Sequence, residues 1–224
     1  MAARLLPAGL LRRRPRPFPL PALQGRQPPY AALVGGIGKH DSNACFGRHP
    51  LTASFEISRA TEADAAALAD FAARLFRSTY SADTAAADLD AYIDNAFSME
   101  RQAAEITDPS AAVFVVKAAG VMIGYAHLDV DRADQHNALL SRIYIDADWR
   151  GKGLARDLLE TIIDECGKRR VARLELTVFE NNARAIAFYG KVGFVVTGST
   201  TFTVGDDVQR DLVMTLDVTA RSDR

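Results

Sequence analysis

The sequence predicts a single α/β domain in which helices cover both faces of a mixed β-sheet. Strand-like and helix-like segments follow one another in the order β-α-α-β-β-β-α-β-α-β-β, which is typical of this class. The 224 residues suffice for one domain and an appendage, and 48% hydrophobic with 25% charged residues is an ordinary globular balance. We expect the domain to span residues 55–218, between an N-terminal extension (1–54) and a short C-terminal tail (219–224).

The extension, residues 1–54, is rich in Arg and Pro and is predicted to be disordered. Pro15, Pro17, Pro19 and Pro21 alternate through its early part, and each removes a backbone donor and opposes helix formation. The prolines therefore argue against the amphipathic helix of a transit peptide, and no long apolar segment of a secretory signal is present.

Charge is distributed unevenly along the chain. Residues 1–50 carry eight Lys and Arg side chains and one acid, which leaves 19 bases and 27 acids in residues 51–224. An acidic body argues against nucleic acid as a partner, because phosphate contacts need clustered Lys and Arg. It suits a cationic substrate, although solubility alone explains it as well.

The sequence gives no support for a membrane protein, a disulfide-bonded protein or a metalloprotein. The sequence contains no run of about eighteen apolar residues, so a transmembrane helix is not predicted. The two cysteines, Cys45 and Cys166, lie far apart and outside any metal-ligand spacing. We therefore expect a cytoplasmic protein without a metal site.

The first half of the domain begins with a strand, Phe55–Arg59, whose polar and apolar residues alternate. A helix follows, with Thr61 as its N-cap and Asp64 as the capping-box partner. A second helical stretch runs from about Leu89 toward Ile106 and ends before Pro109. Its polar face is acidic and carries Asp83, Asp88, Asp90, Asp94, Glu100 and Glu105.

The second half alternates strands with two amphipathic helices. The predicted elements are strands at 112–117, 122–130 and 138–145, a helix from Leu154 to about Arg170, a strand at 173–179, a helix at 183–192, and final strands at 194–202 and 209–216. A turn at Gly205-Asp206-Asp207 joins the last two strands.

The loop between the third of these strands and the long helix has the composition of an anion site. It reads Arg150-Gly151-Lys152-Gly153-Leu154-Ala155. A helix N-terminus offers backbone N–H groups without partners, together with partial positive charge. The glycines permit close approach of an anion, and Arg150 and Lys152 add positive charge. A turn that only caps the helix remains the alternative.

A second motif makes the interpretation more specific. The loop is neither a P-loop nor a Rossmann fingerprint, but it resembles motif A of the GNAT acetyltransferase superfamily, R/Q-x-x-G-x-G/A, through Arg150, Gly153 and Ala155. Residues 181–194, NNARAIAFYGKVGF, resemble motif B. Segments 91–98, 142–145 and 202–209 resemble bacterial PaiA-type spermine/spermidine acetyltransferases. The resemblance covers roughly residues 55–216.

The resemblance implies an N-acetyltransferase that uses acetyl-CoA as co-substrate, with a GNAT-type, centrally splayed sheet. It places Ile143 and Ile145 beside the pantetheine arm through their backbone groups. Asn182 would contact the cofactor or its thioester region, or else cap the following helix. Lys191 would lie near the phosphates, or else be a solvated charge. The pyrophosphate would be held by Arg150, Gly151, Lys152, Gly153, Leu154 and Ala155.

For the chemistry, the resemblance makes Tyr189 the general acid that protonates the departing thiolate; a core tyrosine is the alternative. The general base is where the sequence departs from the family pattern, because Leu139 and Ser141 occupy positions where carboxylates are expected. A protonated amine has no lone pair with which to attack. The remaining candidates are His127, Asp129, or a water chain past Ser141 and Tyr144.

The acceptor implied by the resemblance is a small primary amine, with polyamines as the class suggested by the PaiA-type segments. The missing strand carboxylates leave open a CoA-binding sensor without catalysis. An acetyltransferase of protein N-termini is a further alternative, which differs only in its acceptor. No nucleic-acid or membrane partner is expected, and assembly as a homodimer stays open.

Overall fold

The computed structural model describes residues 54–80, 86–204 and 207–221. Nearly all of the predicted extension, Asp83 on the acidic face, and Gly205 and Asp206 in the last turn lie outside the described residues. The helices and strands are β1 (Glu56–Arg59), α1 (Ala65–Tyr80), α2 (Ala86–Ala96), α3 (Met99–Thr107), β2 (Ala111–Ala118), β3 (Val121–Val130), β4 (Asn137–Ile145), α4 (Leu154–Lys168), β5 (Arg173–Phe179), α5 (Ala183–Val192), β6 (Val195–Val204) and β7 (Asp207–Asp217).

The predicted mixed α/β architecture is confirmed. Seven strands form one sheet in the order β1-β2-β3-β4-β5-β7-β6. Every neighbouring pair is antiparallel except β4 and β5, which are parallel because α4 crosses over between them. Within the described ranges, no helix is long and apolar enough to cross a bilayer.

Helices cover both faces of the sheet. On one face, here called the back face, α4 and α5 pack on alternate residues of the central strands, among them Leu140, Ile143, Leu174, Leu176 and Val178. On the opposite front face, the helices α1 and α2 pack on β2, β3 and β4. Because side chains alternate along a strand, this assigns the remaining residues of β5 to the front face.

The predicted second helical stretch is wrong in one respect, since two helices replace one. The chain leaves α2 at Ala96, and α3 begins at Met99. Ser98 is the N-cap of α3, and its Oγ accepts a hydrogen bond from the Arg101 backbone N–H at 3.2 Å. A serine side chain competes for backbone donors and so favours a new helix start. The capping box of Thr61 and Asp64, by contrast, is confirmed.

The sheet opens at its centre, between β4 and β5. The two strands are paired only from Asn137↔Arg173 to Leu139↔Glu175. Beyond these pairs β4 continues beside β3 and β5 continues beside β7, and residues 140–145 and 176–179 are not paired with each other. These two stretches are called the splay.

A β-bulge in β4 lies where the splay begins. His127 of β3 pairs with Arg142, and Leu128 pairs with Leu140, so Ser141 is the extra residue. A bulge bends its strand and increases its twist, which directs the end of β4 away from β5.

Candidate active site

The predicted anion loop, residues 150–155, lies at the end of β4 and enters α4 through two left-handed glycines. Gly151 has φ 78° and Gly153 has φ 89°. A Cβ added at either glycine would meet no atom within 4 Å, so the space beside the loop is open. Both properties are those expected of a loop that an anion approaches closely.

Several backbone donors of this loop have no acceptor in the part of the chain that the structure describes. Arg156 N and Asp157 N both donate to Gly153 O, at 2.8 and 3.2 Å, and close the first turn of α4. Across the described ranges, the backbone N–H groups of Gly151 to Ala155 have no acceptor. These donors and the positive end of a fifteen-residue helix suit a diphosphate.

The two cationic side chains of the loop, Arg150 and Lys152, contact neighbouring residues. Arg150 Nε donates to Ile145 O at 3.3 Å, which ties the guanidinium to the end of β4. Lys152 Nζ lies 5.1 Å from the centroid of the Trp149 ring. Burial and then repulsion by Arg184 lower the pKa of Arg150. Two guanidinium groups therefore lie close enough to repel one another, and an anion between them would relieve that repulsion.

The sequence analysis quoted Arg184 within motif B but gave it no role. Because β4 and β5 are parallel, both end at the same edge of the sheet, and Arg184 in the first turn of α5 lies near the end of β4. Lys191 lies seven residues further along α5, about two turns away on the same side of the helix, and is exposed.

Ile143 and Ile145 are both on the stretch of β4 inside the splay. Their side chains are buried in the back-face core, and their backbone is paired with β3 alone. Asn182 precedes α5, where its Oδ1 accepts from Ala185 N at 3.1 Å. The helix cap, which the sequence offered as the alternative for Asn182, is thus present.

Tyr189 is fully buried on the back face, between Phe188 and Phe194 at ring-centroid distances of 5.2 and 5.6 Å. Burial raises the pKa of its phenol, which favours the protonated form. Its hydroxyl has no hydrogen-bond partner among the residues that the structure describes. A buried hydroxyl left without a partner costs about 1–3 kcal/mol, so this atom suits a ligand contact.

The candidates for the general base lie in a cluster of charged groups on the front face, in which Glu105, His127 and Arg142 are buried and Asp129 is nearly half exposed. His127 Nε2 is 3.2 Å from Asp129 Oδ1, and His127 Nδ1 is 3.4 Å from Arg142 Nη1. Nδ1 thus faces the Arg142 guanidinium, whereas Nε2, despite its short distance from Asp129, makes no hydrogen bond among the described residues. Burial raises the pKa of Asp129, but the charge and the close contact of His127, with smaller contributions from Ser141 and Arg142, outweigh it and lower this pKa to about 2.

Glu105, which the sequence placed on the acidic face, belongs to this cluster. Both of its carboxylate oxygens accept hydrogen bonds from Arg142, and Oε1 also accepts from Arg101 Nε. The Arg142 guanidinium lies 5.4 Å from the centroid of the Phe97 ring. Ser141 Oγ donates to His127 O at 3.1 Å. The charged groups of Glu105 and Arg142 therefore bind each other.

Two further acids were missed by the sequence analysis. Among the described residues, four acidic residues are less than a tenth exposed: Asp64, Glu165, Glu175 and Asp211. Asp64 is paired with Lys117, and Glu165 with Arg59 and Arg169. Glu175 and Asp211 have no ion pair among the described residues. Strand alternation was the available signal, because both acids interrupt apolar runs in β5 and β7. Across the described ranges, no group of three or more acids, histidines or cysteines is arranged to hold a metal ion.

Comparisons with known proteins agree with this geometry. The model of the GNAT family of acetyltransferases matches residues 70–194. An uncharacterized N-acetyltransferase of Mycobacterium tuberculosis is 32% identical over 151 residues, covering 67% of this chain and 96% of that protein.

Two solved structures have the same fold. The PaiA N-acetyltransferase of Thermoplasma acidophilum in complex with coenzyme A has a TM-score of 0.62 and 23% identity, over 73% of this chain and 99% of that one. The ribosomal-protein-S18-alanine N-acetyltransferase of Escherichia coli has a TM-score of 0.56 and 26% identity, over 74% and 94%.

A family match over more than half of the chain, with the open anion loop and the splayed sheet, identifies the protein. The chain belongs to the GNAT family and is an acetyl-CoA-dependent N-acetyltransferase.

Proposed function

We propose that this enzyme acetylates the primary amine of a small cationic molecule, with polyamines as the favoured class. One observation carries the proposal: Glu175 and Asp211 are buried beside the splay, and among the described residues neither forms an ion pair, although Arg173 acts on Glu175 from a distance. Burying a carboxylate without a counter-charge is costly, and an ammonium group of the acceptor would supply one. The excess of acids over bases in residues 51–224 supports the same class by attracting cations.

The cofactor half of the proposed site uses the residues of the anion loop. The N–H groups of Gly151 to Ala155 would hold the pyrophosphate of acetyl-CoA, with Arg150 and Lys152 providing charge. Two observations support this cofactor site: the space beside the glycines is open, and the backbone donors have no acceptors among the described residues. The backbone of Ile143 and Ile145 would bond the pantetheine arm along the open edge of β4.

Asn182 and Lys191 complete the set. Asn182 would fix the start of α5, and thereby Tyr189, at the splay. Lys191 would add positive charge on the same side of α5 as Arg184. Of the two, Asn182 has the stronger support, because its side chain makes a defined helix cap.

Catalysis would combine positioning with one proton donor. Holding the amine and the thioester in line in the splay lowers the entropic barrier of a bimolecular reaction. Tyr189 would donate its hydroxyl proton to the departing sulfur, and the raised pKa of its phenol keeps that proton available at neutral pH.

A panel of acceptors tests the proposal. Full-length protein is incubated with acetyl-CoA and with polyamines, amino acids or peptides that have a free N-terminus, and thiol release is recorded. We expect the highest kcat/KM with a polyamine. Higher values for amino acids or peptides would overturn the polyamine assignment. Coenzyme A binding without turnover on any amine would instead indicate a sensor.

A protein N-terminus is the second candidate acceptor. The likeness in fold and sequence to the S18-alanine enzyme of Escherichia coli favours it. The same panel separates the two classes when it includes a peptide that begins with alanine, because a buried acidic site disfavours an acceptor that lacks a second positive charge.

A further inference from the structure

Asp211 lies on the front face of β7, next to the splay. It pairs with Phe179 of β5 and with Thr200 of β6. The register of β5 and β7 has no shift, so Asp211, Thr177 and Glu175 share one face. The opposite face of β5 carries Leu176 and Val178, which pack in the same back-face core as Tyr189.

Thr177 connects Asp211 to the opening of the sheet. The last pair between β4 and β5 is Leu139↔Glu175, and Thr177 is the next residue of β5 on the front face. Its side chain hydrogen-bonds the Asp211 carboxylate, with the hydroxyl donating. The carboxylate of Asp211 is thereby held against the first residue of the splay on that face.

The surroundings of Asp211 leave its charge uncompensated. It is 6% exposed, and the neighbouring charges are Glu180 at the end of β5, Arg210 beside it in β7, and Glu175 further along β5. Arg210 is directed to Glu180 Oε2 and Ser199 Oγ, both at 3.4 Å, rather than to Asp211. Burial, and to a smaller extent Glu180, raises the pKa of Asp211 to about 6, although the Thr177 hydroxyl lowers it.

The other acids and bases of the front face are placed differently. Glu175 has no ion pair among the described residues, but it accepts a hydrogen bond from Thr215 and lies near Arg173. It belongs to the last pair of β4 and β5, before the splay.

His127 lies on β3, which β4 separates from β5, and its Nε2 is 3.2 Å from Asp129 Oδ1 without a hydrogen bond among the described residues. Glu105 accepts hydrogen bonds from two arginines. Asp129 is held in its ionised form by His127, which makes it a poor proton acceptor near neutral pH. A useful general base has a pKa close to the working pH.

We propose that Asp211 is the general base of the acetyl transfer, held in position by the hydroxyl of Thr177. This inference rests on the proposed function, because it requires a protonated amine as acceptor. The ammonium nitrogen gives one proton to the Asp211 carboxylate and gains the lone pair with which it attacks the thioester carbonyl carbon. The N–C bond forms and the C–S bond breaks. Tyr189 gives its proton to sulfur and regains one from the new amide nitrogen, and Asp211 releases its proton to solvent.

The test is a pH profile of kcat/KM between pH 5 and 10, measured with the best amine of the acceptor panel. For the wild-type enzyme we expect an acid limb with its midpoint near 6 and a plateau above it, since the ionised carboxylate and the ammonium form then react together. For Asp211→Asn we expect a loss of about 100-fold or more at pH 7. Its residual rate should rise about tenfold per pH unit toward the amine's pKa of about 10, because only the free amine then reacts.

Two further variants separate catalysis from structure. Thr177→Val removes the hydrogen bond to the ionised carboxylate and should move the midpoint of the acid limb upward. The plateau should fall as well, since the hydroxyl no longer positions the carboxylate. Glu180→Gln is the matched control: it removes a neighbouring carboxylate that is exposed and lies outside the proposed machinery. It should keep the plateau and lower the midpoint slightly.

Calorimetric titration with coenzyme A reports whether each variant is folded. An unchanged affinity with the altered pH profile supports the base assignment. If Asp211→Asn stays within about threefold of wild type with the same acid limb, the assignment is overturned. If Asp211→Asn does not bind coenzyme A, the Thr177→Val midpoint decides, and an unmoved midpoint overturns the assignment. If the wild-type enzyme acetylates no amine, the result contradicts the proposed function and not the choice of base.

Discussion

The imidazole of His127 lies between two carboxylates, with Nε2 3.2 Å from Asp129 Oδ1 and Nδ1 3.5 Å from Glu105 Oε2. Arg142, on β4, forms a salt bridge with Glu105. The helix α3 is thereby joined to two strands of the sheet through buried charge. This arrangement gives the cluster a structural function and leaves the acceptor side of the splay to other residues.

The pair of Glu105 and Arg142 gives a first prediction, for stability. Glu105→Gln leaves the Arg142 guanidinium buried with a neutral partner, and removal of one member of a buried pair costs about 3–5 kcal/mol. We expect a loss at the lower end of this range, because the Gln amide oxygen still accepts one bond. Urea unfolding at pH 7 measures the change.

The same pair predicts a pH dependence. Burial raises the pKa of Glu105, but Arg142 and His127 outweigh it and the net shift is downward. A carboxyl whose folded pKa is depressed contributes stability above its unfolded pKa and loses it as pH falls through the folded pKa. The difference between wild type and Glu105→Gln should therefore begin to shrink below about pH 4.3, the ordinary pKa of Glu, and vanish only below the depressed folded pKa. Glu100→Gln, on the exposed face of α3, is the control and should change stability by less than about 0.5 kcal/mol.

The left-handed glycines of the anion loop give a second prediction. Gly153→Ala places a side chain at φ 89°, which costs about 1–2 kcal/mol, and relaxation of the loop should weaken coenzyme A binding. Thermal unfolding and calorimetric titration measure the two effects. Gly167→Ala in α4 is the matched control, because its Cβ also meets nothing within 4 Å and its backbone is helical. It should stabilise the protein by about 0.5–1 kcal/mol, and equal effects of both substitutions would contradict the explanation.

Tyr189 gives a third prediction, in which rate and stability change in opposite directions. Tyr189→Phe removes a buried hydroxyl that has no partner among the described residues, so the free energy of unfolding should stay the same or rise. Turnover should fall about 100-fold or more, because the proton donor to sulfur is lost. Steady-state kinetics and urea unfolding of one preparation check both. A stable variant with unchanged kcat would remove Tyr189 from the proposed mechanism.

The repulsion between Arg150 and Arg184 gives a fourth prediction. If an anion of the cofactor lies between them, Arg184→Gln should weaken coenzyme A binding about tenfold, and the loss should shrink at high salt, where charge is screened. Calorimetric titrations at two salt concentrations test this. Arg156→Gln is the control, since Arg156 is exposed and paired with Glu160. Equal affinities of wild type and Arg184→Gln at low salt would place the anion elsewhere.

Much of the fold follows from local sequence. The strand at Arg173–Phe179 and the helix at Ala183–Val192 have the predicted bounds. The strand alternates polar and apolar residues, and the helix lies between an N-cap at Asn182 and a C-terminal Gly193. The break at Ser98 escaped prediction, because the apolar spacing continues through it and the N-cap signal is a single residue.

The proposed cofactor side of the active site follows from the sequence, and the proposed acceptor side follows from the tertiary structure. The anion loop is contiguous in the chain, and glycine conformations and free helix donors follow from six consecutive residues. The acceptor side joins residues that only the sheet brings together: Thr177 of β5 reaches Asp211 of β7, and Glu105 of α3 reaches Arg142 of β4. Burial and strand register decide which acid has no counter-charge. Both depend on how distant segments pack together, so the spacing of residues along the chain does not predict them.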